Sequence, residues 1–287
     1  MIHILAKRHV HTLADFASSN VLLAFDYDGT LAPIVSDPAV AHLPRSTRRL
    51  LASAADRYPC VVISGRARHD VAKRVGSVPV FHVSGNHGLE PWAQTAAYAR
   101  RVKGWVRRLR ERLASYSGVV VEDKTYSVTI HYRNAVHGRR MLAAIGEAVR
   151  ELRGARSLGG QDAISLVPSG APTKGAALER ARRLLACDTA IYVGDDQTDE
   201  DAFSAARADR LLAIRIGARR RSRAPYYLRN QREIDDLLRA LLAFRPLNPC
   251  FAPPGLRSPG FRRLVNACRV RCCDGPSSTT RAVREEA

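Results

Sequence analysis

The sequence predicts an α/β fold: a doubly wound, mostly parallel sheet into which a second, smaller α/β domain is inserted. Three observations lead there. VLLAF at 21–25, CVVI at 60–63 and AIYV at 190–193 are short unbroken apolar runs, the pattern of strands covered on both faces. Stretches of helical period separate them. Between residues 92 and 171 the pattern changes to longer helices around strands that alternate polar and apolar positions, as in a sheet covered on one face only.

In chain order, residues 8–18 form a short helix against a sheet edge, and strand 21–25 then ends in Asp26-Tyr27-Asp28-Gly29-Thr30. Pro44 opens a helix to about Arg57, with Leu50 and Leu51 on one face and Ser46 and Thr47 near its start. Strand 60–63 runs into Ser64-Gly65-Arg66, residues 68–76 are helical, and strand 80–84 leads to the loop Gly85-Asn86-His87-Gly88-Leu89-Glu90. Residues 93–115 make a long basic helix with Trp105, Leu109 and Leu113 on one face. Strands at 119–122 and 125–132 flank Asp123-Lys124; a helix at about 137–153 and a strand at 163–167 complete an α-β-β-α-β unit. The first pattern resumes at Pro172-Thr173-Lys174-Gly175, which opens a helix to Ala186. Strand 190–193 ends in the acidic run 194–201, where Thr198 caps the next helix. A strand at 211–216 and a helix at 230–244 close the core. The expected organisation is a core of 1–91 and 172–245, an inserted domain of 92–171, and a disordered basic tail of 246–287 with six prolines and four cysteines.

Composition narrows the function. With 287 residues and 46% apolar content the chain can bury one or two cores. No apolar run approaches about 18 residues, so no membrane partner is expected, and MIHILAKRHVHTLADF lacks the pattern of a secretory signal. Cys60 and Cys187 read as small apolar core residues. The four tail cysteines have no histidine at zinc-finger spacing, so a reduced, cytoplasmic protein is expected. Net charge is +19, but the arginines are spread along the chain without a helix-turn-helix, zinc module or aromatic-basic motif. Nucleic acid is therefore not expected as a partner, and attraction of small anionic substrates is the less demanding consequence of the charge. Oligomeric state is not legible.

Four signals stand at strand ends or helix starts: Asp26/Asp28, Ser64, Lys174 and Asp195/Asp196/Asp199. Carboxylates at the carboxyl end of a core strand can attack an electrophile or hold a hard cation, and Ser64 with the amides after it suits a phosphate. Ordinary alternatives exist for each: a solvated Asp-Gly turn, a serine helix cap, a solvated lysine, an acidic helix start. Together and in this order they resemble the four motifs of the haloacid dehalogenase superfamily of phosphohydrolases. The longer forms DYDGTLAPI and YVGDDQTDEDAF are similar to its trehalose-phosphatase branch, and GNHGLE, VEDKTYSVTIHYR and PTKG sit where that branch has similar segments. The unit at 92–171 matches the position and type of its α/β cap.

The resemblance implies Mg²⁺-dependent hydrolysis of a small-molecule sugar phosphate, trehalose 6-phosphate. Asp26 would be the nucleophile that forms an aspartyl-phosphate, and Asp28 the acid and then the base. Magnesium would be held by the Asp26 carboxylate, the Asp28 backbone carbonyl and Asp195, with Asp196 and Asp199 behind them. Ser64 would hold a phosphoryl oxygen and Lys174 would balance the charge, with Gly65 and Arg66 also on the substrate. Glu122, Lys124, His131 and Arg133 from the cap, with Asn86 and His87 from the core, would contact the sugar. Alternatives are the same chemistry on sucrose, glucosylglycerol or mannosylglycerate phosphate and, from another class, a non-catalytic nucleic-acid-binding or regulatory protein. One departure bears on the sugar. The branch carries a glutamate and a basic residue just before the proline that precedes the lysine motif, and this chain has Ser165-Leu166-Val167-Pro168.

Overall fold

The computed structural model describes residues 1–35, 40–136, 138–160 and 162–246; the expected tail lies outside these except for Pro246. The chain begins with β1 (Ile2–His3), α1 (Val10–Ser18), β2 (Val21–Phe25), α2 (Arg45–Ala55), β3 (Cys60–Ile63), α3 (Arg68–Val75) and β4 (His82–Ser84). A second group follows: α4 (Ala96–Leu113), β5 (Val120–Asp123), β6 (Val128–His131), α5 (Arg139–Arg150), β7 (Ala155–Gly160) and β8 (Ala163–Pro168). The chain then returns through α6 (Lys174–Leu184), β9 (Thr189–Gly194), α7 (Glu200–Phe203), β10 (Leu211–Ile216), β11 (Tyr226–Leu228) and α8 (Glu233–Phe244).

The first and last groups build one seven-stranded sheet, ordered β1-β11-β10-β9-β2-β3-β4, with every pairing parallel. All five residues of β2 are buried, because helices cover the sheet on both faces. Val21, Leu23 and Phe25 join Leu13, Leu51, Val71 and Leu238 from α1, α2, α3 and α8 in one apolar cluster. On the opposite face Tyr192 of β9 meets Phe203 of α7 edge-on at 5.8 Å. The expected doubly wound fold is therefore present. From β2 the chain builds outward through β3 and β4 on one side, while β9, β10 and β11 fill the other. The reversal falls between β2 and β9, and the carboxyl ends of strands at such a switch point open a crevice.

The middle group forms a separate antiparallel sheet, ordered β5-β6-β8-β7. One face packs on α4 and α5 through Val102, Trp105, Leu109, Ile145, Val128, Ile130 and Leu166. This unit has four strands where the sequence pattern predicted three. The missed strand, ARSLGG, carries one large apolar residue and two glycines; its pairing with β8 from Ala155↔Pro168 to Gly160↔Ala163 makes it a strand. The short strands β1 and β11 were missed for the same reason, being held by the sheet rather than by their own pattern. None of the described helices is long and apolar enough to cross a membrane.

Pro44 is the N-cap of α2, in keeping with its expected place at the helix start, and Thr47 donates its hydroxyl to Asp235 Oδ1 at 2.6 Å, tying α2 to α8. The cap before α7 differs from the expectation. Asp196, not Thr198, caps the turn before α7, in a capping box with Asp199.

His82, at the start of β4, is 7% exposed and stacks on Trp92 with ring centroids 4.7 Å apart. Burial, and then Arg68, lower its pKa from 6.5 to about 4. The unfolded chain therefore takes up the proton first, so this contribution to stability is full above pH 6.5 and is lost as pH falls toward 4. We expect the melting temperature of His82→Phe to fall less than that of the parent over this window, as read by circular dichroism; equal falls would remove His82 as a source of acid sensitivity.

Candidate active site

The loop after β2 begins as an extension of the strand. The Asp26 amide donates to Val193 O at 2.9 Å, which continues the β2–β9 ladder and leaves the carboxylate at the switch point. Gly29 then turns the chain, with φ +76°. A Cβ there would lie 2.1 Å from Asp195 Oδ2, so only glycine lets this turn lie against the Asp195 carboxylate.

Lys174 is the first residue of α6, after Thr173, whose side chain accepts from the Ala176 amide as the N-cap. It is 2% exposed, which excludes the solvated-lysine alternative. Its ammonium stands 3.0 Å from Asp26 Oδ2 and 2.8 Å from Asp199 Oδ1. Asp199 Oδ1 also accepts from the Tyr192 hydroxyl at 2.7 Å. Its Oδ2 accepts from the amides of Asp195 at 3.0 Å and Asp196 at 2.9 Å. From β10, Arg215 donates to the backbone carbonyls of Asp195 and Asp196 and pairs with Glu200 at 3.1 Å. Sequence reasoning missed Tyr192 and Arg215. A lone arginine in the otherwise apolar strand LLAIRI was the available signal for the second.

Burial pushes the Asp26 carboxyl well above the ordinary range, against the Lys174 ammonium, with Asp199, Asp195 and Asp28 adding to the rise. Asp195 is raised to about 7, by burial first and Asp199 next, and burial raises Asp196 as well. For Lys174, burial alone would lower the pKa, but Asp199 and Asp26 outweigh it and keep the ammonium charged. Carboxylate oxygens of Asp26, Asp195 and Asp199 lie within 4.8 Å of one another, a grouping that can hold a metal ion. Both Asp199 oxygens are already committed to two donors each. Asp26 Oδ1 is buried and has no partner among the described residues. The open donors are thus on Asp26 and Asp195, an all-oxygen set suited to a hard divalent cation. Such a charge also reverses the crowding that raises both carboxyls.

Above these carboxylates lies a cleft of about 1090 Å³, bounded by both sheets. Asp26, Asp28, Lys174, Asp195 and Asp196 line its floor, with Gly65, Arg66 and His87 beside them. Glu122, Lys124, His131 and Arg133 reach it from β5, β6 and the segments at their ends. Ser64 lies behind the wall, fully buried, and its hydroxyl accepts from the Arg66 amide at 3.1 Å. It does not cap α3, whose N-cap is Ala67; the open amide of Arg68 is met by Glu90 Oε2 at 2.7 Å. Arg66 grips Asp28 with two bonds of 2.7 Å and Asp70 with one of 2.8 Å.

His87 turns inward with φ +59°, and neither ring nitrogen has a partner among the described residues. Burial, then Lys174, Lys124 and Arg156, hold its pKa well below 6.5, so the ring is neutral. A Cβ on residue 65 would lie 2.6 Å from the His87 Cε1, which explains the glycine there. Burial would raise the pKa of Glu122, but its bond with His131 at 2.7 Å and Lys124 at 3.5 Å hold it below the ordinary range. Arg133 donates to Val35 O at 3.3 Å.

Asn86 is not on the cleft wall. It is fully buried, and its side-chain nitrogen donates to Glu90 Oε2 and to Lys124 O, which leaves no donor for a sugar. The sugar contact expected of it has no open donor in this arrangement. Ser165 does line the cleft, 2.9 Å from the Thr129 hydroxyl, whereas Val167 is buried with Leu89 and Ala171.

A family model described as trehalose-phosphatase matches residues 24–231. The chain is 36% identical over 212 residues to the trehalose-phosphate phosphatase of Mycolicibacterium paratuberculosis, covering 67% of this chain and 53% of that protein. It is 38% identical over 194 residues to that of Mycobacterium tuberculosis strain H37Rv, covering 62% and 49%. The chain thus spans about half the length of the curated relatives it matches. Among solved structures, the C-terminal domain of a C. albicans trehalose-6-phosphate phosphatase superposes with a TM-score of 0.66 at 22% identity, covering 82% of this chain and 96% of that one. A haloacid dehalogenase-like hydrolase from B. subtilis gives 0.53 at 16%, covering 79% and 99%. At such identities the likeness is one of fold.

The buried charges make a direct stability prediction. Removing one partner of a buried ion pair typically costs about 3–5 kcal/mol, because the other charge is left uncompensated. Asp199→Ala leaves Lys174 with Asp26 alone and takes the acceptor from Tyr192 and from the Asp195 and Asp196 amides, so it should lose stability on that scale in urea unfolding at pH 7. A loss under about 1 kcal/mol, the level of a surface pair, would show that Lys174 does not depend on Asp199.

Proposed function

The chain belongs to the trehalose-phosphatase family, and from that we propose that it hydrolyses trehalose 6-phosphate to trehalose and phosphate through an aspartyl-phosphate on Asp26. The observation that carries the reading is Asp26 itself. It is buried at the end of the central strand, on the floor of the cleft, with one oxygen on Lys174 and the other without a partner among the described residues. The cleft suits a ligand larger than a monosaccharide, since small-molecule sites run to about 1,000 Å³. In this reading 92–171 is the inserted cap, and 1–91 with 172–245 the core.

The residues fit a divalent cation, and magnesium is the ion proposed: the carboxylates of Asp26 and Asp195 and the backbone carbonyl of Asp28 would hold it. When bound, the ion neutralises phosphoryl charge and keeps Asp26 ionised. Asp26 attacks the phosphorus; the bond to the sugar oxygen breaks as the acyl-phosphate forms, and Asp28 gives that oxygen its proton. A water then attacks the phosphorus and passes its proton to Asp28, and the acyl-phosphate bond breaks to release phosphate. Arg66 grips Asp28 and Asp70 in the free protein, and an entering phosphate offers its guanidinium a further acceptor. Lys174 is held in place by Asp199, so its charge meets the phosphoryl group without reorganisation. His87, neutral and with neither nitrogen partnered among the described residues, can donate to or accept from the bound substrate.

A second reading, the same chemistry on another glycosyl phosphate, has one observation in its favour. Glu122, Thr129, Ser165 and Leu158 stand side by side across the second sheet. Where the branch places a charged acceptor, this row has the Ser165 hydroxyl, and it ends on a leucine.

The test is kcat/KM with magnesium on trehalose, sucrose, glucosylglycerol, mannosylglycerate and glucose phosphates. Trehalose 6-phosphate should be preferred, EDTA should stop turnover, and Asp26→Asn should abolish it without unfolding the chain. Normal phosphate release by Asp26→Asn would end the mechanism. Preference for another sugar would select the second reading, and Ser165→Glu should then shift the ranking back toward trehalose 6-phosphate.

A further inference from the structure

The Asn86 amide does something other than bind sugar. Its loop follows β4 in the large sheet, yet two of its three partners belong to the turn between β5 and β6. Its side-chain nitrogen donates to Lys124 O at 3.2 Å, and its oxygen accepts from the Ser127 hydroxyl, 41 residues further along the chain. Asn86 and Ser127 are both fully buried. The same side-chain nitrogen also donates to Glu90 Oε2 at 2.7 Å, the oxygen that meets the first amide of α3, two residues after Arg66. A single carboxylate therefore fixes both the helix that follows the Ser64–Arg66 loop and the asparagine that reaches across to the second sheet.

The turn it grips is a constrained one. Thr125, a β-branched residue, has φ +68°, a conformation that persists only where its surroundings hold it. Lys124 N donates to Ser127 O at 2.9 Å, and Thr125 N to Asp123 Oδ1 at 2.8 Å. Lys124 leaves this turn pointing into the cleft, with its ammonium 3.4 Å from Gly65 O and 3.5 Å from Glu122 Oε2.

We infer that Asn86 and Ser127 form a polar latch between the two sheets, which holds the 124–127 turn and so sets the Lys124 ammonium over the substrate end of the cleft. Both are positioning residues; Lys124 makes the contact. The inference rests on the proposed role of Lys124 toward a sugar phosphate. Without the Ser127 hydroxyl, Asn86 Oδ1 is left buried and unsatisfied, and the turn backbone keeps only the 3.2 Å bond from Asn86 to Lys124 O.

Two measurements test it, one of them independent of turnover. By amide hydrogen exchange, Ser127→Ala should speed exchange across 120–131 while leaving 21–25 as in the parent; unchanged exchange in the turn overturns the latch whatever the substrate is. In kinetics, the ratio of kcat/KM for trehalose 6-phosphate to that for p-nitrophenyl phosphate should fall about tenfold in Ser127→Ala, mainly through KM, the scale of one buried hydrogen bond. In a Lys124→Ala background the same change should add less than about twofold, because both losses run through one ammonium. Additive losses, or equal losses on both substrates, overturn it. Ser127→Cys, near in size and a weaker donor, should fall between Ser127→Ala and the parent in both measurements, which separates the lost bond from a packing defect. Failure of the parent to use the sugar phosphate would count against the functional reading, while the exchange result would still decide the latch.

Discussion

The site depends on one buried cation. Lys174 stands between Asp26 and Asp199 at under a twentieth of its free exposure. An ammonium so deeply placed is tolerable only with both carboxylates in contact. Each of the three comes from a different element: the end of β2, the first turn of α6, and the turn after β9. The pairing of charges thus joins strand ends that the hydrophobic core brings near but does not align to hydrogen-bond accuracy. Asp199 extends the constraint, because its second oxygen holds the amides of Asp195 and Asp196, and Arg215 holds their carbonyls from the other side. The cleft floor is a preorganised frame of fixed charges rather than a set of mobile side chains.

From that frame the chemistry divides by position. The floor carries crowded carboxylates around the Lys174 ammonium, an excess of negative charge that a divalent cation would offset. The roof, drawn from the second sheet, carries Glu122 in contact with both Lys124 and His131 and then two hydroxyls, Thr129 and Ser165. Hydroxyl-rich ligands need such mixed donors and acceptors. His87 sits where the two meet, neutral because it is buried and, next, because three cations lie near it, and glycine at 65 makes room for its ring.

Much of this was legible in the sequence. β2, β3 and β9 declare themselves because strands covered on both faces need unbroken apolar runs, and a helix such as α4 shows its buried stripe of Trp105, Leu109 and Leu113 by period alone. Asp26, Asp28, Lys174 and Asp195 were visible as polar residues at the ends of such runs, and the cleft gathers all four. β7 was not visible, since ARSLGG has no pattern of its own and becomes a strand by pairing with β8. Ser64 and Thr198 looked like caps because their residue type favours that role; which residue caps is decided by where the backbone turns, and the roles fell to Ala67 and Asp196.

By itself, then, the sequence determined the periodic features and the chemical types at strand ends, because both follow from local burial along the chain. Tertiary structure alone decided who partners whom. Asn86 reads as a polar loop residue, and nothing within ten positions of it foretells Ser127 or the Lys124 carbonyl. Asp199 reads as a group behind the expected metal ligands, and only the approach of Lys174, Tyr192 and two backbone amides shows both its oxygens to be taken. A side-chain hydrogen bond has a reach of about 3 Å and a narrow angular range, so its partner is set by how separate elements pack, which local periodicity does not encode.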